Sequence, residues 1–276
     1  MSIKCVAVDL DGTLLGANGV LSDVTRRTIE KLLKRGIEVL VASGRSLKAL
    51  PSAVTDIEGI RYVITSNGSA IYDLKDNVCL KVHHIKPDSV REILKVAEDE
   101  DVVFETFIEG VPYAQKEYVD NPVAYGATPQ AISYIQSTRQ PITDMETFIL
   151  AHEGELDSLD IVVRTEDKKK ELWKKLAQKV SGIHITSSVK QLIEISHENA
   201  TKATGIAFLC DMLAIEENDI VAFGDADNDI EMLQLAGRGV AMGNASQSVK
   251  EIADAVTESN TEDGVAKECN RIFCLL

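Results

Sequence analysis

Two carboxylates that lie two positions apart follow a short apolar stretch near the start of the chain. In KCVAVDLDGTLL (residues 4–15), an apolar run of four residues ends at Asp9, and Asp11 comes two residues later. A continuous apolar run is typical of a strand buried on both faces of a parallel sheet. If extended backbone continued through Asp11, both acids would point to one side. Carboxylates about 4 Å apart repel by roughly 4 kcal/mol at an effective dielectric near 20, so this spacing predicts a shared proton or a bound cation. The alternative is a strand that ends in a polar turn.

Polar groups also follow two other apolar runs. Ser43 and Gly44 come directly after IEVLVA (37–42), and GDADND (224–229) comes after DIVAF (219–223). Because ligands of doubly wound sheets bind outside the carboxyl ends of the strands, we expect these groups at the same edge as Asp9. Taken singly, each could be a helix-capping loop or a solvated turn. Together they predict a cluster of oxygen ligands, which suits a hard divalent cation such as Mg²⁺ beside a phosphate.

Lys202 lies in the first turn of a helix predicted over 201–213. A lysine there opposes the helix dipole by roughly 0.3–1 kcal/mol, and many such lysines are simply exposed. A cation beside free N–H groups at a helix start is also a way to bind an anion. Since Lys202 accompanies the acidic segments, the anion-binding interpretation is favoured.

The elements that must position these groups alternate between strands and helices. Ser22 is a predicted N-cap of the first helix, IEVLVA is a second buried strand, and YVIT (62–65) is a third. This order predicts a parallel sheet with helices on its faces. Asn67-Gly68, directly after the third strand, is either a tight hairpin turn or a segment that faces the substrate.

The middle of the chain has a different pattern. Segments such as VFETF and LDIVV alternate with helices and indicate a strand-rich α+β arrangement, whereas LIEI (192–195) is interpreted as a return to the first sheet. We therefore predict a core domain made of residues 1–84 and 189–276, interrupted by an inserted domain over 85–188.

Composition limits the classes of partner. The chain has 276 residues and a formal net charge of −15, which argues against nucleic acid or an anionic membrane as its main partner. An anionic substrate could bind only where a metal or local cations reverse the potential. No apolar run approaches the ~18 residues of a membrane span, and we see no secretory signal. Five scattered cysteines favour reduced thiols in a cytoplasmic protein.

The segments DLDGTLL, VASGR, Lys202 and GDADND resemble, in order, the four motifs of the haloacid dehalogenase-like phosphotransferases. The long insertion between the second and third motifs resembles the Cof-type sugar-phosphate phosphatases, as do ITSNGSAIYD, VAMGNA and VTESNTEDGVA. The resemblance covers nearly the whole chain. It implies an α/β fold, a Rossmann-like parallel-sheet core with an inserted α+β cap domain.

The resemblance also implies the catalytic and metal-binding residues. Asp9 would be the nucleophile that forms an aspartyl-phosphate, and also a Mg²⁺ ligand. Asp11 would act as acid and then as base, with its backbone carbonyl on the metal. Asp225 would be the further acidic ligand, and Asp229 would orient the metal shell or Lys202.

Five groups would bind the phosphate by the same resemblance. Ser43 and the N–H groups of Gly44 and Leu10 would hold its oxygens. Lys202 would neutralise the phosphoryl group and the nucleophile, and Asn228 would contact the phosphate.

The expected activity is Mg²⁺-dependent hydrolysis of a small phosphorylated metabolite, with sugar phosphates first. Two alternatives stay open: a phosphomutase of the same superfamily, and a catalytically silent sensor of a phosphorylated ligand. The sequence does not indicate the oligomeric state.

Overall fold

The computed structural model describes residues 3–275 and divides them into two compact units. The core unit contains the residues up to Gly44, Leu50–Lys81 and the residues from Thr201 onward. The inserted unit contains Arg45–Ala49 and Val82–Ala200. Helices and strands are numbered below in chain order.

The core unit is built on one eight-stranded sheet. Its strands are β1 (Cys5–Val8), β2 (Glu38–Ala42), β3 (Tyr62–Thr65), β4 (Ala70–Asp73), β5 (Val78–Val82), β12 (Ile220–Gly224), β13 (Arg238–Ala241) and β14 (Ala255–Val256). Their order is β14-β13-β12-β1-β2-β3-β4-β5. The strands from β14 to β3 are parallel, and β4 runs antiparallel to β3. The α/β class expected from the sequence is therefore confirmed.

Strand β1 lies between β2 and β12, and this position brings distant segments together. Val8 pairs with Val41 of β2 and with Phe223 of β12, and all four residues of β1 are fully buried. Because the three strands are parallel, the segments that follow them meet at one edge of the sheet, as the sequence predicts.

Six helices complete the core unit: α1 (Asp23–Lys34), α2 (Ser52–Thr55), α8 (Lys202–Leu213), α9 (Ile230–Leu235), α10 (Gln247–Ile252) and α11 (Gly264–Phe273). The predicted N-cap of α1 is confirmed, since the Ser22 side chain accepts from the Thr25 N–H at 3.0 Å. Thr201 caps α8 by accepting from the Thr204 N–H at 3.2 Å. The cap fixes the start of α8, so Lys202 is its first residue.

The inserted unit has its own six-stranded sheet, in the order β10-β11-β9-β6-β7-β8. Its strands are β6 (Val102–Ile108), β7 (Val111–Gln115), β8 (Gln140–Ile142), β9 (Leu156–Val163), β10 (Ile183–Thr186) and β11 (Leu192–His197). Its helices are α3 (Pro87–Ala97), α4 (Lys116–Asp120), α5 (Ile132–Thr138), α6 (Met145–Ala151) and α7 (Glu166–Lys179). Among the described residues, no helix is both long enough and apolar enough to cross a membrane.

The segment LIEI corrects the sequence interpretation. It belongs to β11, which pairs antiparallel with β9 and β10 in the sheet of the inserted unit, and this unit extends to Ala200. The sequence analysis assigned residues from 189 onward to the core sheet. Ile193 and Ile195 are fully buried, and an apolar run of this kind suits a central strand of either sheet, so its composition could not decide between them.

Candidate active site

Asp9, Lys202 and Asp229 form a buried ion-pair network in the core unit. The Lys202 Nζ lies 2.6 Å from the Asp9 Oδ1 and 2.6 Å from the Asp229 Oδ1. The side chains of Lys202 and Asp229 are fully buried, and that of Asp9 is 6% exposed. The end of β1, the start of α8 and the segment after β12 each supply one member, so the network joins the first, third and fourth motifs.

Asp229 uses both of its carboxylate oxygens. The Oδ1 accepts from Lys202, whereas the Oδ2 accepts from the backbone N–H groups of Asp225 and Ala226 at 2.9 and 3.0 Å. Gly224 allows this close approach, since a Cβ there would lie 2.4 Å from the Asp229 Cβ. Asp229 therefore fixes the segment that carries Asp225 to the lysine.

Asp225 is held beside the turn that follows β1. Its Oδ1 accepts from the Thr13 hydroxyl at 2.8 Å. Asn244 donates to the Gly12 carbonyl at 2.8 Å and contacts the Asp225 Oδ2 at 3.4 Å. Gly12 has φ +85°, and a Cβ on it would lie 2.3 Å from the Asp225 Oδ2. A side chain at position 12 would therefore displace this carboxylate.

The cluster suits a divalent cation. One carboxylate oxygen from each of Asp9, Asp225 and Asp229 lies within 4.8 Å of the others. With Lys202 ionised, the three carboxylates and the ammonium leave two negative charges in a largely buried site. Asp229 is fully buried and is bonded to Lys202 and to two backbone N–H groups, whereas Asp225 is partly exposed, so Asp9 and Asp225 are the better placed metal ligands. Oxygen donors of this kind suit Mg²⁺.

The pKa values reflect this excess of negative charge. Burial raises the pKa of Asp9 well above its usual value despite the opposing effect of Lys202, and the neighbouring carboxylates raise it further. Burial and the charge of Asp229 raise the pKa of Asp225 to about 7, although the Thr13 hydrogen bond opposes the shift. Burial lowers the pKa of Lys202, but Asp229 and Asp9 outweigh it and hold this pKa above its usual value. The lysine is therefore a cation at neutral pH.

Asp11 does not share the environment of Asp9. Strand β1 ends at Val8, and the backbone then turns, with the Leu10 carbonyl accepting from the Leu15 N–H at 2.8 Å. The extended backbone that would align the two acids therefore does not continue. Asp9 is 4% exposed, whereas the Asp11 side chain is exposed and lies outside the acidic cluster found among the described residues. Solvent access suits a group that exchanges protons with water.

The other predicted phosphate ligands follow β1 and β2. Leu10 is fully buried, Ser43 is 1% exposed, and Gly44 is partly exposed. The Ser43 N–H donates to the Ile64 carbonyl at 2.9 Å, and its carbonyl accepts from the Asn67 N–H at 3.0 Å. The backbone at Ser43 is thus fixed from both sides by the neighbouring strand and its turn.

Three polar residues of this region lay outside the set proposed from the sequence. Asn67 accepts from the Asn228 side chain at 2.9 Å, Thr13 binds Asp225, and Asn244 links the first motif to Asp225. Asn67 and Asn244 lie in two of the stretches, ITSNGSAIYD and VAMGNA, that carry the family resemblance. For Asn67 the position after the third strand was a further signal, since one of its two interpretations was a segment that faces the substrate. For Asn244 the resemblance was the only sequence signal.

The chain is similar to known proteins over nearly its whole length. The sequence profile described as haloacid dehalogenase-like hydrolase matches residues 6–268. The chain is 31% identical over 267 residues to the 5-amino-6-(5-phospho-D-ribitylamino)uracil phosphatase YcsE of Bacillus subtilis, covering 97% of this chain and 94% of that one. It is 32% identical over 283 residues to the phosphatase YwpJ of the same organism, covering 96% of this chain and 98% of YwpJ. The solved structure of a haloacid dehalogenase-like hydrolase from B. subtilis superposes with a TM-score of 0.86 at 28% identity, covering 98% of this chain and all of that one.

Proposed function

Because the chain belongs to the haloacid dehalogenase-like hydrolases and is a phosphatase, we propose that it hydrolyses small phosphorylated metabolites, sugar phosphates foremost, through an aspartyl-phosphate. The observation that carries this proposal is the buried contact of Lys202 with Asp9 and Asp229, both at 2.6 Å. A nucleophile held against a cation, beside further carboxylates, suits attack on an anionic phosphate ester.

We propose Mg²⁺ as the cofactor. Asp9, Asp225 and the backbone carbonyl of Asp11 would hold it. The ion would offset negative charge on the phosphate and on the carboxylates. The two uncompensated negative charges of the cluster support a divalent ion in this role.

Asp9 and Asp11 would divide the chemistry between them. An oxygen of Asp9 attacks phosphorus, the bond from phosphorus to the ester oxygen breaks, and Asp11 gives its proton to the departing alkoxide. Asp11 then takes a proton from a water molecule whose oxygen attacks the phosphorus of the aspartyl-phosphate. The bond to Asp9 breaks, inorganic phosphate leaves, and the Asp9 carboxylate is restored.

The remaining groups would bind the phosphate. The Ser43 hydroxyl, the backbone N–H groups of Leu10 and Gly44, and the Asn228 amide would donate to its oxygens. Lys202 would share its charge between Asp9 and the phosphate. These donors would stabilise the negative charge of the phosphate oxygens, both in the bound substrate and in the transition state, where this charge is spread over the oxygens.

The named activity of the relative YcsE supports a phosphate ester on a sugar-like chain as the substrate, because the compound in that name is a phosphorylated ribityl derivative. Free, scattered cysteines support the cytoplasm as the location. In the cytoplasm such metabolites would be the partners of this site.

Phosphate release from a panel of compounds tests the proposal. The panel contains sugar phosphates, 5-amino-6-(5-phospho-D-ribitylamino)uracil, a nucleotide and pyridoxal phosphate, each with Mg²⁺ and with a chelator. We expect Mg²⁺-dependent release by the wild type, none by Asp9→Asn, and full activity in Asp227→Asn, which removes the same charge from an exposed position. Turnover that persists in Asp9→Asn would refute the aspartyl-phosphate mechanism.

Phosphorus NMR of the same reactions distinguishes the alternatives. A mutase would give an isomerised sugar phosphate without free phosphate, and a sensor would bind a sugar phosphate tightly without any product. Either result would replace the proposed activity.

A further inference from the structure

A buried turn of unusual backbone geometry adjoins the candidate active site. Ser66, Asn67 and Gly68, which connect β3 to β4, have φ values of 51°, 55° and 105°. Left-handed backbone is uncommon for residues other than glycine, and two such residues in succession store strain. Ser66 and Asn67 are 1% and 6% exposed. A type I′ hairpin turn has two successive residues with positive φ, whereas this turn has three and is buried, so surrounding contacts must hold it.

The backbone of this turn contacts two of the four motifs. The Asn67 N–H donates to the carbonyl of Ser43 at 3.0 Å. On the other side, a Cβ on Gly68 would lie 2.1 Å from the Thr201 carbonyl oxygen. Thr201 is the N-cap of α8, whose first residue is Lys202. The turn is therefore packed against the residues that define the second and third motifs.

The Asn67 side chain contacts the fourth motif. Its Oδ1 accepts from the Asn228 Nδ2 at 2.9 Å. A side-chain amide nitrogen carries two N–H groups, so Asn67 occupies one and leaves the second for another acceptor. The Asn228 Oδ1 is buried and has no hydrogen-bond partner among the described residues. Buried polar atoms without partners are rare and often mark functional sites, and here the hydrogen bond to Asn67 determines which way the amide faces.

From these contacts we propose that Asn67 is a positioning residue, which orients the Asn228 amide for phosphate binding and holds the backbone of Ser43. Its left-handed backbone brings the N–H to Ser43 while its side chain reaches Asn228, and asparagine tolerates this conformation better than most residues. The inference rests on the proposed contact between Asn228 and phosphate. The residue would act through its neighbours, without touching the reacting atoms.

The key variant is Asn67→Gly, because glycine keeps both the left-handed backbone and the N–H that binds Ser43. The variant removes the acceptor for Asn228. The matched control is Asn77→Gly, since Asn77 also has a left-handed backbone, at φ 52°, but is exposed. We would measure kcat and KM, and the binding of inorganic phosphate with Mg²⁺ by calorimetry, for both variants, Asn228→Ala and the double variant.

For a lost orienting hydrogen bond we expect Asn67→Gly to weaken phosphate binding about fivefold, and Asn228→Ala about tenfold. Because Asn67 would act through Asn228, the double variant should be no weaker than Asn228→Ala alone. Asn77→Gly should match the wild type. The calorimetric stoichiometry reports the folded fraction and the Kd reports the site, so partial unfolding cannot imitate the expected result.

The outcomes separate this inference from the function on which it rests. If Asn228→Ala weakens phosphate binding and Asn67→Gly does not, or if the two effects add fully, Asn67 does not position Asn228. If Asn228→Ala has no effect, the proposed phosphate contact is wrong and the inference falls with it, while Mg²⁺-dependent phosphate release still tests the activity separately. A reduced stoichiometry with unchanged Kd would assign Asn67 a structural role only.

Discussion

Replacing Asp229 by asparagine tests the network that joins Lys202 to the segment that carries Asp225. In the structure, one oxygen of Asp229 accepts from the lysine and the other accepts from two backbone N–H groups. Asparagine has the same shape but a single acceptor oxygen. Its NH₂ group must therefore face either the ammonium of Lys202 or the N–H groups of Asp225 and Ala226, and both arrangements place donors against donors.

The cost follows from the bonds that are lost. A hydrogen bond to a charged group contributes about 1.5–3 kcal/mol, and a buried donor left without an acceptor costs roughly 1–3 kcal/mol. We therefore expect Asp229→Asn to lower the free energy of unfolding of the core unit by about 3–6 kcal/mol, a large part of the roughly 5–15 kcal/mol typical of a folded protein. Since Lys202 would also lose one of its two anchors, we expect kcat to fall about 10- to 100-fold.

Denaturant unfolding measures this loss, with Asp227→Asn as the control. Asp227 lies two residues away, is exposed, and carries the same charge. Circular dichroism follows both units, whereas the fluorescence of Trp173, the single tryptophan, follows the inserted unit. The circular dichroism of Asp229→Asn should show the destabilised core unit, and Asp227→Asn should overlay the wild type. If the two variants were equally stable within about 1 kcal/mol, the double-acceptor role of Asp229 would be refuted.

Three further outcomes are expected. Gly12→Ala should raise the Mg²⁺ concentration needed for half-maximal activity at least about tenfold, because the alanine Cβ would meet the Asp225 carboxylate at 2.3 Å and the φ at this position is +85°. Arg139→Met should destabilise the inserted unit by about 3–5 kcal/mol by Trp173 fluorescence, since the guanidinium pairs with the buried Glu105 through two bonds of 3.1 Å. Asp160→Asn should stabilise the protein increasingly as pH rises above about 4, by up to about 1.4 kcal/mol for each pH unit.

The sign of the last effect follows from proton binding. Burial, with the charge of Glu194 added, raises the pKa of Asp160 well above its usual value. The folded protein then keeps a proton that the unfolded chain releases above about pH 4, so stability falls as pH rises from about 4 toward the raised pKa of the folded state. Asparagine resembles the protonated acid and removes this loss. A difference in melting temperature between Asp160→Asn and the wild type that stayed constant with pH would contradict this prediction. Unchanged Mg²⁺ activation in Gly12→Ala would contradict the first of the three predictions, and an unshifted fluorescence transition in Arg139→Met would contradict the second.

The sequence was sufficient to locate the acidic segments at one edge of the core sheet. The sequence shows that Asp9 and GDADND lie at the ends of apolar strands and that Lys202 lies at the start of a helix. Parallel strands bring their carboxyl ends to the same edge of a sheet. The position of a residue at the end of a strand or at the start of a helix can be predicted from local sequence patterns. The placement of Asp11 could not be predicted, because it depends on where β1 stops, and apolar periodicity does not determine whether the next residues stay extended or turn.

Contacts between side chains that are distant in the chain leave no local signal. Asn67 and Asn228 are 161 residues apart, and neither position differs in pattern from an ordinary turn asparagine. The same reason explains the misassigned segment LIEI. Its isoleucines are buried in the inserted unit as they would be in the core unit, so only the pairing of β11 with β9 reveals its sheet.

The position of β1 between β2 and β12 has a consequence for how the protein is made. Asp9 and Lys202 are separated by 193 residues, which a ribosome adding about 5–20 residues per second translates in roughly 10–40 s. During that interval the side of β1 that later binds β12 has no partner, while the long segment Val82–Ala200 emerges and can fold. The candidate active site is therefore among the last parts of the nascent chain to assemble, and an unpaired strand edge is exposed until it does.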